Sequence, residues 1–223
     1  MVAMILAAGR GERMLELTRS CPKPLLQAGG KTLIEYQLQR LLMAGVTEVV
    51  INTAYLADQI HAFLGTGERF GVQIRYSPEG EALETGGGIF HALPLLGDAP
   101  FILMNSDLWC DFSLADLALA VDDLAHLVMV NNPEHHLKGD FCLKGGRVLP
   151  PQVNLPSLTY AGIALLHPAL FQGSVAGKFP LAPLLLKAMR AGKVSGVHFQ
   201  GEWRDIGTPQ RLAALDADLR KGV

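Results

Sequence analysis

Cysteine is scarce in this 223-residue chain, which holds only Cys21, Cys110 and Cys142. They are far apart, odd in number and never in a Cys-x-x-Cys pair, so neither a disulfide framework nor a zinc site is indicated. A reduced, cytoplasmic setting is expected instead. Long apolar runs are also missing. The stretch from Val2 to Ala8 is broken by Gly9 and Arg10 and has no basic segment before it, so neither a signal peptide nor a membrane span is expected. An excess of positive charge is lacking too: 19 Lys and Arg against 21 Asp and Glu leave −2. That balance provides no broad field for nucleic acid, so an anionic ligand needs a local site. Internal repeats, low-complexity tracts and linkers are absent, and a single domain over residues 1–223 is expected.

What is present is a large apolar share, 49 % of residues, enough for a sizeable core. Met4 to Ala8 reads as a buried strand ended by Gly9 and Gly11. Leu33 to Ala44 has helical spacing with Gly45 at its end, and Glu48 to Asn52 is a second strand. A helix over Leu56–Leu64, a strand over Val72–Tyr76, a helix from Gly86 to Leu96 and a strand over Phe101–Met104 follow. Ser113 is expected to cap a helix through Val121, ahead of a strand over Leu127–Val130. The later third reads as a hairpin turning at Gly145-Gly146, a strand over Tyr160–Leu166, a helix over Pro180–Ala191, a strand over Val194–Phe199 and a final helix over Pro209–Arg220. Alternation of strand and helix predicts an α/β fold of Rossmann-like, doubly wound type, with a mixed, mostly parallel sheet.

Five segments carry chemistry. Leu6-Ala7-Ala8-Gly9-Arg10-Gly11-Glu12-Arg13 places two glycines after a strand, where backbone N–H groups can approach phosphate and Arg13 can clamp it. A dinucleotide fingerprint would need a third glycine and a P-loop a Lys-Ser/Thr pair, and neither is there. By itself the turn fits a phosphate cradle or a plain tight turn. Pro22-Lys23-Pro24 holds a lysine between two prolines, so its ammonium can be aimed with little entropy loss. Asp107 follows the fourth strand and Asp205 lies in Trp203-Arg204-Asp205-Ile206-Gly207-Thr208-Pro209; two such carboxylates can share one Mg²⁺, or each can be a cap or surface acid. Pro78 to Gly88, with its Gly86-Gly87-Gly88, lies between strand and helix, where a flat base can approach the backbone or a turn can simply flex.

The glycine turn followed at this distance by Pro22-Lys23-Pro24 resembles the opening of the sugar-1-phosphate nucleotidyltransferases, and the Trp-x-Asp-Ile-Gly-Thr-Pro stretch resembles a later motif of that family. The likeness runs from Met4 to about Leu219. Two departures stand out: Leu15-Glu16-Leu17-Thr18 lacks the usual proline, and Ser106 replaces a glycine before Asp107. The resemblance implies a nucleotide-diphospho-sugar transferase fold, with a nucleotide part over about residues 1–110 and a sugar part over about 111–223. It implies Arg13, Lys23, Asp107 and Asp205 as catalytic residues, with Mg²⁺ on Asp107 and Asp205. Leu6, Ala8, Gly9, Gly11, Glu79, Thr85, Gly86 and Asn105 are the implied nucleotide contacts. Asn52, Asp140, Tyr160 and Gly162 are the implied sugar contacts. The Leu-Glu-Thr-Gly-Gly-Gly-Ile reading looks like the bacterial uridylyltransferases of N-acetylmuramate 1-phosphate in peptidoglycan recycling, and also like mannose-1-phosphate guanylyltransferases.

The expected substrates are therefore a nucleoside triphosphate and a sugar 1-phosphate, handled by a monomer or small homo-oligomer with no nucleic-acid or membrane partner. With the chain ending soon after Trp203, no left-handed β-helix is expected. Thymidylyl or guanylyl transfer to a hexose 1-phosphate, a nucleotide-sugar sensor without catalysis, and a Rossmann dehydrogenase are the alternatives. His135-His136 reads as a loop pair rather than a metal site, because adjacent histidines on a strand point apart.

Overall fold

A computed structural model describes residues 1–221. In chain order the strands are β1 (Val2–Leu6), β2 (Gln27–Ala28), β3 (Lys31–Thr32), β4 (Glu48–Thr53), β5 (Gln73–Pro78), β6 (Phe101–Asn105), β7 (Leu108–Cys110), β8 (Ala125–Val130), β9 (Phe141–Lys144), β10 (Arg147–Leu149), β11 (Ser157–Leu166), β12 (Val194–His198) and β13 (Trp203–Asp205). The α-helices are α1 (Leu33–Met43), α2 (Ala57–Leu64), α3 (Glu84–Leu96), α4 (Ala182–Arg190) and α5 (Pro209–Lys221).

Nine strands form one sheet in the order β5-β4-β1-β6-β11-β8-β12-β10-β9. The β5-β4-β1-β6 block is wholly parallel. Beyond it β11 runs antiparallel to both β6 and β8, and β12 lies parallel to β8. This is the expected mixed α/β sheet. From β1 the chain winds outward through β4 and β5, then returns to place β6 on the other side of β1. That reversal opens a crevice beyond the carboxyl ends of β1 and β6, the usual ligand position in an open α/β sheet.

The apolar run of β1 divides by alternation. Ala3 and Ile5 face a core built with Ile34, Leu38 and Leu41 of α1 and Ile60 and Leu64 of α2. Met4 faces a second core with Ile89, Ala92 and Leu96 of α3 and Leu185, Ala188 and Met189 of α4. Helices thus cover both faces, which is why β1 shows no polar alternation. Thr32 caps α1: its hydroxyl accepts from the Glu35 amide, and Glu35 reaches back to the Thr32 amide.

A third, smaller core decides the site. Met14 of the glycine loop, Leu26 and Ala28 beyond Lys23, Ile206 beside Asp205, and Leu212 and Leu215 of α5 pack together. Arg13, Lys23 and Asp205 each sit within a few residues of an anchor in that cluster, so burial of apolar neighbours brings three distant motifs to one place.

One expected element is largely missing. Ser113 does not cap a helix to Val121: only a 3₁₀ turn over Leu114–Asp116 forms, and Ser113 makes no capping hydrogen bond. Leu114 and Leu117 are buried, whereas Val121 is fully exposed. With so narrow an apolar stripe, a helix of this length gains too little from packing to offset its nucleation cost. The expected helix starting at Gly86 begins two residues earlier, at Glu84, which sits at φ 60°.

Candidate active site

The crevice holds three neighbouring cavities. One of about 280 Å³ is lined by Leu6 to Gly9, Asn52, Glu79, Glu84, Thr85 and Asn105, and by Lys23 and Asp107 at one end. A wider one of about 860 Å³ carries Arg10, Arg13, Lys23 and Lys178 against Glu12 and Glu81. A third, of about 290 Å³, is bounded by Arg13, Asn105, Asp107, His135, His136, Tyr160, Trp203 and Asp205. Lys23 and Asp107 stand where cavities meet, each lining two of them.

The glycine turn divides its labour. Around Gly9 a Cβ would meet nothing within 4 Å, so its backbone is open to a ligand on the cleft side. Gly11 has φ 65°, and a Cβ there would press on Lys23 Cβ and Cδ, both at 3.1 Å. The aliphatic stem of Lys23 therefore lies against a glycine that no other residue replaces without strain. The prolines do what their sequence predicts. Pro22 is extended, a single 3₁₀ turn runs over Lys23–Leu25, and the Lys23 side chain is only 10 % exposed, with its ammonium paired to Asp107 Oδ2.

Asp107 and Asp205, 98 residues apart in sequence, are brought side by side by a two-stranded ladder. β13 pairs antiparallel with β7 so that Asp205 faces Leu108, and the Ile206 amide donates to the Asp107 carbonyl at 2.7 Å. Trp203 secures the far end, its indole N–H donating to the Ala161 carbonyl at 2.9 Å. Asp205 Oδ1 is paired with Arg211 and lies 3.0 Å from His135 Nε2. Asp107 Oδ1 and Asp205 Oδ2 have no hydrogen-bond partner among the described residues. No group of three or more His, Cys, Asp and Glu able to hold a metal ion occurs there either. Two carboxylates with one free oxygen each, on a cavity wall, fit a hard cation that takes its remaining ligands from phosphate and water; they do not fit a closed structural metal site.

Four of the sequence-derived candidates stand differently from expectation. Asn52 does not line the cavity beside Tyr160 and Asp205. It is buried beside the glycine turn, where its Oδ1 accepts from the Ala7 amide at 2.9 Å and its Nδ2 donates to Glu79 Oε1 at 2.7 Å. Glu79 Oε2 in turn accepts from the Leu83 amide at 2.8 Å. The pair ties β1, β4 and the loop after β5 together. Gly86 is off the cavity wall: a Cβ there would meet the Phe179 ring at 2.6 Å and the Pro180 carbonyl oxygen at 2.8 Å. Close helix–strap packing, rather than room for a base, requires it. Gly162, at φ 77°, lies beneath Asn105, whose amide nitrogen would be 2.5 Å from a Cβ. Asp140 has both oxygens engaged, with His136 Nε2 at 2.9 Å from Oδ1 and the Tyr160 amide donating to Oδ2 at 2.8 Å. The Tyr160 hydroxyl is buried without a partner. Burial above all, then the Asp140 charge, pushes that phenol well above its ordinary range.

The glycine triplet seats a strap formed by residues 177–180. Gly87 donates its amide to the Phe179 carbonyl at 3.0 Å, and a Cβ at Gly87 would overlap the Gly177 carbonyl oxygen. The strap carries Lys178 to the rim of the large cavity. Gly87→Ala is therefore expected to unseat the strap and to raise the KM for nucleoside triphosphate about tenfold, with a loss of about 1–3 kcal/mol in stability; steady-state kinetics and urea unfolding check both.

Sequence reasoning missed Lys178, Arg211 and the partnership of His135 with Asp205. Lys178 lies 90 residues beyond Gly88 with no motif around it. Arg211 lies six residues past Asp205 on α5, and its guanidinium reaches back to Asp205 Oδ1.

Residues 2–140 match the nucleotidyl transferase family model. The chain is 47 % identical to an N-acetylmuramate alpha-1-phosphate uridylyltransferase of Neisseria meningitidis, covering 97 % of each. It is 35 % identical to a protein of the same name from Caulobacter vibrioides, over 98 % of this chain and 96 % of that one. A mannose-1-phosphate guanyltransferase of Aspergillus oryzae is 30 % identical, but the match spans only 62 % of its length. Among solved structures, one described as a putative glucose-1-phosphate thymidylyltransferase from Bacillus anthracis superposes with a TM-score of 0.84 at 19 % identity, over 99 % of this chain and 96 % of that one, which shows a shared fold. The chain belongs to the nucleotidyl transferase family.

Proposed function

We propose that the protein transfers a uridylyl group from UTP to N-acetylmuramate α-1-phosphate, giving the nucleotide-sugar and pyrophosphate in cytoplasmic peptidoglycan recycling. The observation that carries this reading is the convergence of Lys23, Asp107 and Asp205 where the glycine-loop cavities meet the cavity beside β11 and β13. Similarity to the Neisseria and Caulobacter uridylyltransferases supports the choice of base and sugar.

In the reaction a phosphate oxygen of the sugar 1-phosphate attacks the α-phosphorus of UTP, and the bond to the bridging oxygen of pyrophosphate breaks. The nucleophile is already an anion, so no general base is required; alignment and charge neutralisation are the protein's task. The open backbone at Gly9, flanked by Leu6 and Ala8, receives the triphosphate, with Gly11 holding the turn. Arg13 draws the leaving pyrophosphate, and Lys23, aimed by its prolines, neutralises charge at the reacting centre. Asp107 and Asp205 would hold Mg²⁺, which supplies Lewis-acid neutralisation of phosphate charge when bound. Glu79, Thr85 and Asn105 line the base side; Gly86 acts there through the strap and Asn52 through Glu79. Asp140, Tyr160 and Gly162 shape the sugar side. Residues from about 1 to 110 supply most of the nucleotide side and residues from about 111 to 223 most of the sugar side, within one domain, with Asp205 of the later part reaching the phosphates.

The test is a grid of UTP, GTP, dTTP and CTP against the 1-phosphates of N-acetylmuramate, N-acetylglucosamine, glucose and mannose, read as pyrophosphate release with Mg²⁺. Turnover is expected with UTP and N-acetylmuramate 1-phosphate. Release only with GTP and mannose 1-phosphate would replace the specificity; silence throughout would overturn the activity.

A further inference from the structure

The geometry points to Arg211 as a second arginine of the phosphate site, completing with Arg13 a two-guanidinium clamp above Gly207 for a phosphate oxygen. This rests on the nucleotidyl-transfer reading and adds to it a residue that no sequence motif marks.

Gly207 lines the wide cavity together with Arg13. The space that a Cβ at Gly207 would fill is ringed by Arg211 Nη2 at 2.8 Å, Asp205 Oδ2 at 3.1 Å and Arg13 Nη2 at 3.3 Å. Two guanidinium tips thus stand close together over the bare face of Gly207, with a single carboxylate between them. Arg211 Nη1 is committed to Asp205 Oδ1 and lies 2.8 Å from His135 Nε2. Its Nε reaches the Thr208 hydroxyl at 3.4 Å. Neither Arg211 Nη2 nor any part of the Arg13 guanidinium has a hydrogen-bond partner among the described residues. The Arg211 side chain is 25 % exposed, so its charge is partly desolvated and feels a nearby anion strongly.

Like charges this close are costly unless an anion joins them, and one aspartate balances only one of the two arginines. A phosphate oxygen supplies the missing charge and accepts from both forks, the geometry for which guanidinium is suited. Asp205 and His135 serve meanwhile to aim Arg211, and the absence of a side chain at Gly207 lets both guanidinium groups come this close. The ligand chemistry is a phosphate group, carried either by the triphosphate and its pyrophosphate product or by the sugar 1-phosphate.

Calorimetry in metal-free buffer separates these sources, with inorganic pyrophosphate and N-acetylmuramate 1-phosphate as probes. Arg211→Gln is expected to weaken binding of one of them by about 10- to 100-fold. Which probe loses affinity identifies the phosphate. Arg211→Lys is expected to recover part of the loss, because it keeps the charge without the fork; it also carries the test should the glutamine variant fail to fold. The pair Asp205→Asn and Asp205→Asn/Arg211→Gln then tells contact from indirect action. A persistent loss in the double variant supports direct contact. Equal binding by the two, or wild-type binding of both probes by Arg211→Gln, would overturn the clamp. Absence of turnover in the substrate grid would instead remove the proposed activity while leaving this binding result standing.

Discussion

Asp107→Asn is expected to lower turnover about 1,000-fold at saturating substrates while the fold survives. The substitution preserves shape at the end of β6 and removes one negative charge from a side chain 27 % exposed on the cleft wall. Two consequences add. Lys23 loses its counter-ion, so its ammonium is no longer held at the junction of the cavities, and the pair with Asp205 is reduced to a single carboxylate. Loss of one preorganised charge of this kind costs about 4 kcal/mol of transition-state stabilisation, and each 1.36 kcal/mol is tenfold in rate. Lys23→Met leaves Asp107 partly buried without its partner and is expected to fall by a similar factor. The double variant should lose much less than the product of the two, because the residues act as a pair. Steady-state kinetics with pyrophosphate detection, alongside thermal unfolding, decide the matter. Turnover within threefold of wild type for either single variant would remove that residue from the catalytic centre.

The second large effect is expected at Asn52 and falls on stability first. Asn52→Leu keeps the volume but strips both hydrogen-bonding ends from a residue 3 % exposed. The Ala7 amide and Glu79 Oε1 are then left without their partners. An unsatisfied buried group costs about 1–3 kcal/mol, more for a charged one, so a loss of about 3–5 kcal/mol is expected in urea unfolding. Because Ala7 begins the glycine turn and Glu79 holds the Leu83 amide, the nucleotide KM should also rise, by about tenfold or more. Asn52→Asp is expected to be at least as damaging, since it sets two carboxylates against each other. A stability change below about 1 kcal/mol for Asn52→Leu would mean that the clamp is dispensable.

These expectations show where sequence reading succeeds and where it stops. Strand β1 is legible from its unbroken apolar run ended by glycines, and helix α1 from its apolar periodicity and Gly45, because these signals act over a few residues. Asp107 and Asp205 were legible as candidates because the motifs around them resemble those of a known family. Their adjacency was not, since it depends on the β7–β13 ladder, and three-residue strands carry almost no periodic signal. The glycine triplet shows the limit most clearly. Its composition suggested room for a base, whereas in the fold the glycines make room for the 177–180 strap and for Glu79, partners that local sequence does not name.

Legible from the chain alone are the alternation of strand and helix, the buried character of β1, the open turn at Gly9 and the family resemblance. Each follows from short-range sterics, hydrophobic periodicity or local motif. Contacts across the fold are what make Asn52 a clamp, bind Asp140 to His136 and the Tyr160 amide, and bring Arg211 beside Arg13 above Gly207. Those roles depend on contacts between residues far apart in the chain, and burial of the small core around Met14, Leu26, Ile206 and Leu212 sets several of them at once.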